Sequence, residues 1–453
     1  MALKEAWPTA PGHVTFLLGN NLRQFSWGMT VLAGRAWGGW GESVRLTTAM
    51  DSAPLQVPGS PVVLFAGGGT GGHLTPALAV ADRLRELAPH ARIAFASSDR
   101  AIDRRLLPAT DRHVLPLQPL ASAAWHPLKF AQSGWSTWRA LRRVFAEVNP
   151  SVVVGVGGLA SFPVLLAAWR RGIPTVLLEQ NAVPGRANRV ASRFATAVCV
   201  SFPPTPGQWP ARLRVFDTGN PVRAGIAGLA PSVPAAQQPT PGVPHPQGQS
   251  APSLRLGATQ FEAPRQTVLV LGGSQGARAL NLAMIRLLAH ADASFRQFDW
   301  VHQTGPQLVD EVRQAYARAG LQAEVAPFFN PIDPHLRRAT LAITRGGATT
   351  LAELACAGIP ALIVPYPQAT DNHQVANAQH YVAARGALVV PQEAEPNHWE
   401  PRLEAHAIRL LTNTAERTQR AQAMRALARP HADAAVCRVL LDLAHPSRAS
   451  RVG

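Results

Sequence analysis

Runs of apolar β-formers alternate along the chain with segments whose apolar residues recur at helical spacing. Val62-Val63-Leu64-Phe65 is predicted to be a buried strand, a glycine turn follows, and Ala77–Leu87 is predicted to be a helix. The strand pattern returns at Ile93–Ala96, Val152–Val156, Thr175–Leu178 and Ala197–Val200, with helical stretches between, which is the order of a parallel, doubly wound sheet. Over residues 226–265 it stops: Pro, Gln, Ser and Ala dominate, too few residues are apolar to pack, and the segment reads as a linker or surface insertion. It then restarts, with Val268–Leu271 as a strand, Gly272–Ala277 as a turn and Leu280–His290 as a helix. The reading is α/β, with two Rossmann-like domains over 61–225 and 266–430, a C-terminal helix and tail over 431–453, and a ligand expected in the cleft between the domains. Residues 1–60 carry Trp7, Trp27, Trp37 and Trp40 but no period; they read as a weakly ordered extension, with Met50 an alternative start of translation.

A length of 453 residues agrees with two domains plus extras, at roughly 150 residues per domain. The formal charge of +16, from 43 Lys+Arg against 27 Asp+Glu, suits anionic substrates, anionic lipid or nucleic acid. Lys4 and Lys129 are the only lysines, so an Arg-, Ala- and Pro-rich composition of genomic origin accounts for the charge equally well. Cys199, Cys356 and Cys437 are scattered without C-x-x-C spacing, which argues against a disulfide framework or a zinc site and for a reducing cytosol. No apolar run approaches the ~20 residues that cross a bilayer.

Gly67-x-Gly69-x-x-Gly72 matches the dinucleotide fingerprint, whose glycines let a helix N-terminus approach a pyrophosphate; a ligand-free tight turn is the other reading. Asp99 is the candidate for the acidic residue expected ~20 positions on. A Walker P-loop is excluded because no lysine follows the glycines. His73 at the helix start could serve as a general base, donate a hydrogen bond or cap the turn. The second turn, with Ser274 and Gln275, is another anion nest, and two nests suit a pair of diphosphates better than one nicotinamide dinucleotide. In the segment Thr344–Ala378, Gly346-Gly347-Ala348 leaves room for close approach. Thr350 and Glu353 have capping-box spacing, and Glu353 could instead accept both hydroxyls of a ribose. The polar run His373-Gln374-x-x-Asn377 is suited to sugar hydroxyls, and Glu179-Gln180-Asn181 should point into the cleft.

Gly68–His73, Gly157-Gly158 with Ser161 and Pro163, Glu179-Gln180-Asn181, Gly219–Arg223, Gly272–Gly276 and the Gly346–Asn377 block occur in the order seen in the MurG family of N-acetylglucosaminyltransferases, which complete lipid II. The chain resembles that family over about residues 62–430, excluding the Pro-rich segment, and six ordered motifs are far more specific than one glycine loop. The resemblance implies a GT-B fold, with the acceptor lipid I handled mainly by the first domain and UDP-GlcNAc by the second. It implies that Thr70, Gly71 and Gly72 border the diphosphates, that Asn181 and Arg223 reach the donor, and that Ser274 lies by its phosphates. Phe329 matches a position whose backbone pairs with uracil, and Ala348, Thr349, Thr350, Leu351, Ala352 and Glu353 match a helix start with Glu353 on the ribose. Gln374 matches a reader of the GlcNAc hydroxyls, with His373 beside it. Leu159 departs from the family, which often has an aromatic residue after the glycine pair, and His373 stands where an amide is common.

The implied reaction is inverting transfer to the C4 hydroxyl of MurNAc with His73 as base, with neither a cofactor nor a catalytic metal and no nucleic acid partner. Trp135, Trp138, Leu141 and Phe145 fall at helical spacing beside Lys129, Arg139, Arg142 and Arg143. By itself this pattern fits a core-facing helix with a basic solvated face as well as a membrane-binding one; the resemblance favours peripheral contact with the anionic cytoplasmic face of the inner membrane. A UDP-GlcNAc 2-epimerase of the same fold, or a nucleotide-binding module without turnover, are the alternatives.

Overall fold

The computed structural model describes residues 60–107, 109–116, 127–158, 160–230, 266–273 and 275–444. The expected N-terminal extension up to residue 59, most of the Pro-rich segment, Leu159 and Ser274 lie outside them. The first domain runs β1 (Val62–Gly67), α1 (Gly71–Leu87), β2 (Arg92–Ser97), α2 (Ala101–Leu106), β3 (Arg112–Val114), α3 (Pro127–Val148), β4 (Val152–Gly157), α4 (Ser161–Trp169), β5 (Thr175–Glu179), α5 (Arg186–Ala191), β6 (Ala197–Val200) and β7 (Arg214–Asp217). Its strands are parallel, in the order β3-β2-β1-β4-β5-β6-β7. After α6 (Ala224–Ala227) the second domain runs β8 (Gln266–Leu271), α7 (Arg278–Leu288), β9 (Phe298–Gln303), α8 (Val309–Arg318), β10 (Ala323–Ala326), α9 (Asp333–Arg338), β11 (Ala339–Thr344), α10 (Ala348–Ala357), β12 (Ala361–Ile363), α11 (His373–Ala383), β13 (Ala387–Val389), α12 (Pro396–Thr412) and α13 (Thr414–Ala426). Its parallel order is β10-β9-β8-β11-β12-β13.

Successive residues of a strand face opposite sides, so a strand covered on both sides must be apolar at every position. Val63 and Phe65 pack into one cluster with Leu84 of α1, while Leu64 and Ala66 pack into another with Leu141 of α3 and Leu165 of α4. Val268 and Val270, against Leu269 and Leu271, repeat the arrangement in the second sheet. The last helix, α14 (Ala432–Ala444), crosses back: Val436, Cys437 and Leu440 are buried with Val63, Phe65 and Val80. The C-terminus therefore completes the first domain's core, each of these side chains contributing roughly 1.5–3 kcal/mol. All three cysteines are buried free thiols.

The amphipathic pattern of α3 has its apolar side covered. Leu141, Val144, Phe145 and Val148 are buried in the cluster against β1 and β4, and Trp138 packs partly on it. Arg139, Arg142 and Arg143 are exposed, and Trp135, 66 % exposed, is the one large apolar side chain of the described stretch left bare. This corrects the membrane-facing reading for Leu141 and Phe145, which belong to the core.

Both sheets reverse their strand order beside their first strand, at β1/β4 and at β8/β11, and the two glycine turns follow β1 and β8 at these switch points. Helix α1 begins earlier than its apolar period suggests. Gly71 and Gly72 already belong to it, because the Thr70 carbonyl accepts from the N–H groups of His73 and Leu74 at 3.3 and 3.2 Å. His73 is thereby the third residue of the helix.

Candidate active site

A cleft of about 1550 Å³ lies between the carboxyl ends of the two sheets. On its first-domain side Gly67, Gly68 and Gly69 take φ values of +131°, +135° and +85°, and a Cβ on Gly67 would fall 2.3 Å from the Gly157 carbonyl oxygen. The ends of β1 and β4 thus touch backbone to backbone, which only glycine permits. Beneath the turn lies Asp103 of α2, wholly buried, whose Oδ1 accepts from the Gly69 N–H at 2.7 Å and whose Oδ2 accepts from the Ser98 hydroxyl at 2.6 Å. Nothing in the sequence distinguishes Asp103 from the other acids of its stretch. Asp99, the acid expected from spacing, instead pairs with Arg104 on the surface at 3.1 Å. Asp103→Ala leaves two donors without partners, and we expect about 2 kcal/mol of lost stability, read from the urea midpoint.

The His73 ring lies against Gly157: a Cβ there would be 3.1 Å from Nε2. Nδ1 is buried without a hydrogen-bond partner, and the residue lines the cleft. Burial holds the imidazole below its ordinary pKa; the Gly68 carbonyl and Asp103 act against this, and His373 adds to it. Near pH 7 the ring is neutral. Thr70, Gly71 and Gly72 line the cleft beside it, with no acidic residue in the first turn of α1.

Across the cleft the N-cap of α10 is Gly347, so Thr350 is its third residue and Glu353 its sixth. That placement removes the capping-box reading, which needs Thr350 at the cap itself. Ala348, Thr349, Thr350 and Glu353 line the cleft, whereas Leu351 is fully buried in the core and Ala352 packs against it. Glu353 Oε1 accepts from Arg223 Nη2 at 3.0 Å, and Arg223 Nη1 lies 3.9 Å from Asp333. Burial raises the Glu353 pKa and Arg223 opposes the rise.

Gln374 Oε1 accepts from the backbone N–H groups of Gly346 and Tyr366 at 3.1 and 2.9 Å, which leaves its NH₂ as the end not tied to the loop. His373 Nδ1 donates to the Thr370 carbonyl at 2.6 Å. Asn377, grouped with them by sequence, is wholly buried and joins the domains: its Oδ1 accepts from Ala182 N at 2.8 Å, and its Nδ2 donates to Asn181 Oδ1 at 3.1 Å and Gly346 O at 3.0 Å. Glu179 borders the cleft with its carboxylate committed to the protein. It accepts from Asn181 N, Asn181 Nδ2, Gly185 N and Asn188 Nδ2 at 2.9–3.3 Å, holding the β5–α5 loop in shape. Glu179, Gln180 and Asn181 all line the cleft, as their place at the end of β5 predicts. The Phe329 N–H donates to Gln303 Oε1 at 3.1 Å, and Phe329 also borders the cleft. A cation absent from the sequence reading, Arg345 at the end of β11, donates to Val364 O and Gln392 Oε1 at 2.9 and 2.8 Å; burial lowers its pKa to about 10. Among the described residues no group of three or more His, Cys, Asp or Glu is arranged to hold a metal ion.

The arrangement offers two helix N-termini, a neutral imidazole and a buried carboxylate to one ligand space, the equipment for handling phosphates and a sugar. Comparison with known proteins agrees with it. Residues 63–200 match the glycosyltransferase family 28 N-terminal domain and residues 267–436 its C-terminal domain. The chain is 36% identical over 388 residues to the UDP-N-acetylglucosamine--N-acetylmuramyl-(pentapeptide) pyrophosphoryl-undecaprenol N-acetylglucosamine transferase of Desulfotalea psychrophila, covering 84% of this chain and 97% of that one. The crystal structure of Acinetobacter baumannii MurG superposes with a TM-score of 0.60 at 29% identity, over 83% of this chain and 98% of that one. A UDP-N-acetylglucosamine 2-epimerase structure, at 16% identity and a TM-score of 0.55 over 85% of this chain and 96% of that one, shares the fold. With both family models matched in order and a relative matched along nearly its whole length, the chain belongs to glycosyltransferase family 28 and, within it, to the MurG family.

Proposed function

We propose that the protein transfers GlcNAc from UDP-GlcNAc to the C4 hydroxyl of MurNAc in lipid I, giving lipid II with inversion at the anomeric carbon. The observation that carries this reading is the meeting of two helix N-termini, of α1 and α10, one from each domain, beside His73. Both carry partial positive charge toward the cleft, where the donor diphosphate and the acceptor diphosphate need it. As O4 of the acceptor bonds to the anomeric carbon, the bond to the diphosphate oxygen breaks, UDP leaves, and the O4 proton passes to Nε2 of His73. The backbone N–H groups of Gly71, Gly72, Ala348, Thr349 and Thr350, with Thr70 at the turn and Ser274, receive the diphosphates; Arg223 and Asn181 reach the donor. Glu353 holds the ribose hydroxyls, the Phe329 backbone the uracil, and the Gln374 NH₂ the GlcNAc hydroxyls. Domain closure excludes water and protects the donor from hydrolysis.

The epimerase alternative requires carboxylates free to move a proton at the sugar. Glu179 is held by four donors and Glu353 by Arg223, which weighs against it. The test is transfer of labelled GlcNAc from UDP-GlcNAc to a short-chain lipid I analogue with EDTA present. Product would establish donor, acceptor and independence of a metal together; UDP-GlcNAc binding without product would move the reading to epimerisation or another acceptor.

No helix among the described residues is long and apolar enough to cross a membrane. A lipid-anchored acceptor nevertheless brings the enzyme to the cytoplasmic face of the inner membrane, and we place exposed Trp135, with Arg139, Arg142 and Arg143 on the same helix, at that contact. Trp135→Ala is expected to weaken co-sedimentation with anionic vesicles severalfold while leaving UDP affinity unchanged; equal binding by both proteins would remove α3 from the contact.

A further inference from the structure

Pro76 lies inside α1, where it cannot donate the backbone N–H that a regular helix returns to the carbonyl four residues earlier. The carbonyl left without that donor is Gly72, at the rim of the cleft. Its hydrogen comes from the other domain: Thr349 Oγ1, on the second residue of α10, donates to Gly72 O at 3.1 Å. Thr349 Oγ1 in turn accepts from Asn220 Nδ2 at 3.4 Å, and Asn220 is a 4 % exposed side chain on the connection between the domains. A hydroxyl that accepts on one side is directed to donate on the other. The contact also has to overcome an unfavourable field. Neither α1 nor α10 has an acidic residue in its first turn, so two positive dipole ends approach one another.

We propose that Pro76, Gly72, Thr349 and Asn220 form an interdomain latch that fixes the spacing of the two helix N-termini, and through it the distance from a bound sugar nucleotide to His73. Thr349 acts here as a positioning residue through its hydroxyl, separately from the backbone N–H groups of the same turn. The proline is the device that frees the Gly72 carbonyl to serve the other domain. That this spacing matters for turnover rests on the transferase reading above.

Three variants of the full chain test it. Thr349→Val keeps shape and backbone N–H but loses the donor, Thr349→Ser keeps the donor, and Pro76→Ala offers the Gly72 carbonyl a donor from its own helix. Transfer kinetics with UDP-GlcNAc and the lipid I analogue are read beside UDP affinity by calorimetry. Thr349→Val should lower kcat roughly three- to tenfold, the worth of one hydrogen bond in the closed state, with the UDP Kd unchanged. Thr349→Ser should recover most of the loss, and Pro76→Ala should lower kcat in the same direction. An unchanged kcat in Thr349→Val would overturn the latch. So would a loss of UDP affinity that accounts for the whole effect, since the hydroxyl would then serve the nucleotide. If the wild type transfers nothing, the transferase reading falls by itself, and the latch is still tested by spin labels, one on each domain, in the UDP complex. The native cysteines are all buried, so introduced surface cysteines carry the labels. A broader separation in Thr349→Val supports the latch, and identical distributions overturn it.

Discussion

Replacing His73 by asparagine is expected to lower kcat by roughly two to four orders of magnitude, the usual contribution of a positioned general base. Asparagine is smaller than the imidazole that packs against Gly157, so it enters without a clash and leaves the glycine turn to Asp103 and the Gly67–Gly157 contact. The sign of the pH dependence follows from burial. His73 is held below its ordinary pKa, and the base form is the deprotonated one, so kcat/KM of the wild type should fall as pH drops through a value below 6.5. Diphosphates in the complex favour the protonated ring, so the acid limb of kcat should lie at higher pH than that of kcat/KM. His73→Asn should lose this limb altogether. A variant that lost rate but kept the limb, with unaltered UDP affinity, would remove His73 from proton transfer.

Glu353→Ala is expected to raise KM for UDP-GlcNAc about 100-fold. Two ribose hydroxyls donating to a carboxylate, at ~1.5 kcal/mol each, account for ~3 kcal/mol, or two decades in affinity. Since Glu353 is the sixth residue of α10, loss of a helix cap cannot produce this effect. An unchanged KM would make the Arg223 ion pair purely structural. Arg223→Ala sharpens the test. Burial raises the Glu353 pKa and Arg223 restrains it, so without Arg223 the carboxyl protonates at higher pH and UDP-GlcNAc binding should weaken with falling pH sooner than in the wild type. Calorimetry at pH 6 and pH 8 measures that difference directly.

The two strand–glycine-turn–helix units were legible because their cause is local. Val62–Phe65 and Val268–Leu271 are apolar at every position, which a strand covered on both faces demands, and glycines follow where the chain must take positive φ. Strand β9 was less legible because His302 and Gln303 interrupt its apolar run. His302 bonds Asn281 Oδ1 at 3.2 Å and the Tyr316 hydroxyl at 3.3 Å, and burial lowers its pKa to about 3, so a central strand carries a neutral histidine. Helix α14 was legible as a helix but not as part of the first domain, because a helix's apolar face does not name the surface that covers it.

The candidate site divides along the same line. Sequence alone determined the glycine turns, the existence of the helices that follow them and the presence of His73 beside one turn, since backbone sterics and period act between neighbouring residues; the first residues of α1 and α10 were set by the fold. It could not tell a side chain that faces ligand from one that joins the domains. Asn377 looked like a reader of sugar hydroxyls and is instead bonded to Ala182, 195 positions away, and Thr350–Glu353 had capping-box spacing on a helix that starts two residues before Thr350. Asp103 gave no signal because its role exists only once α2 lies under the Gly69 N–H. Amides and carboxylates bond equally well to a sugar, a loop or another domain, and only the folded chain decides which partner comes within hydrogen-bond distance.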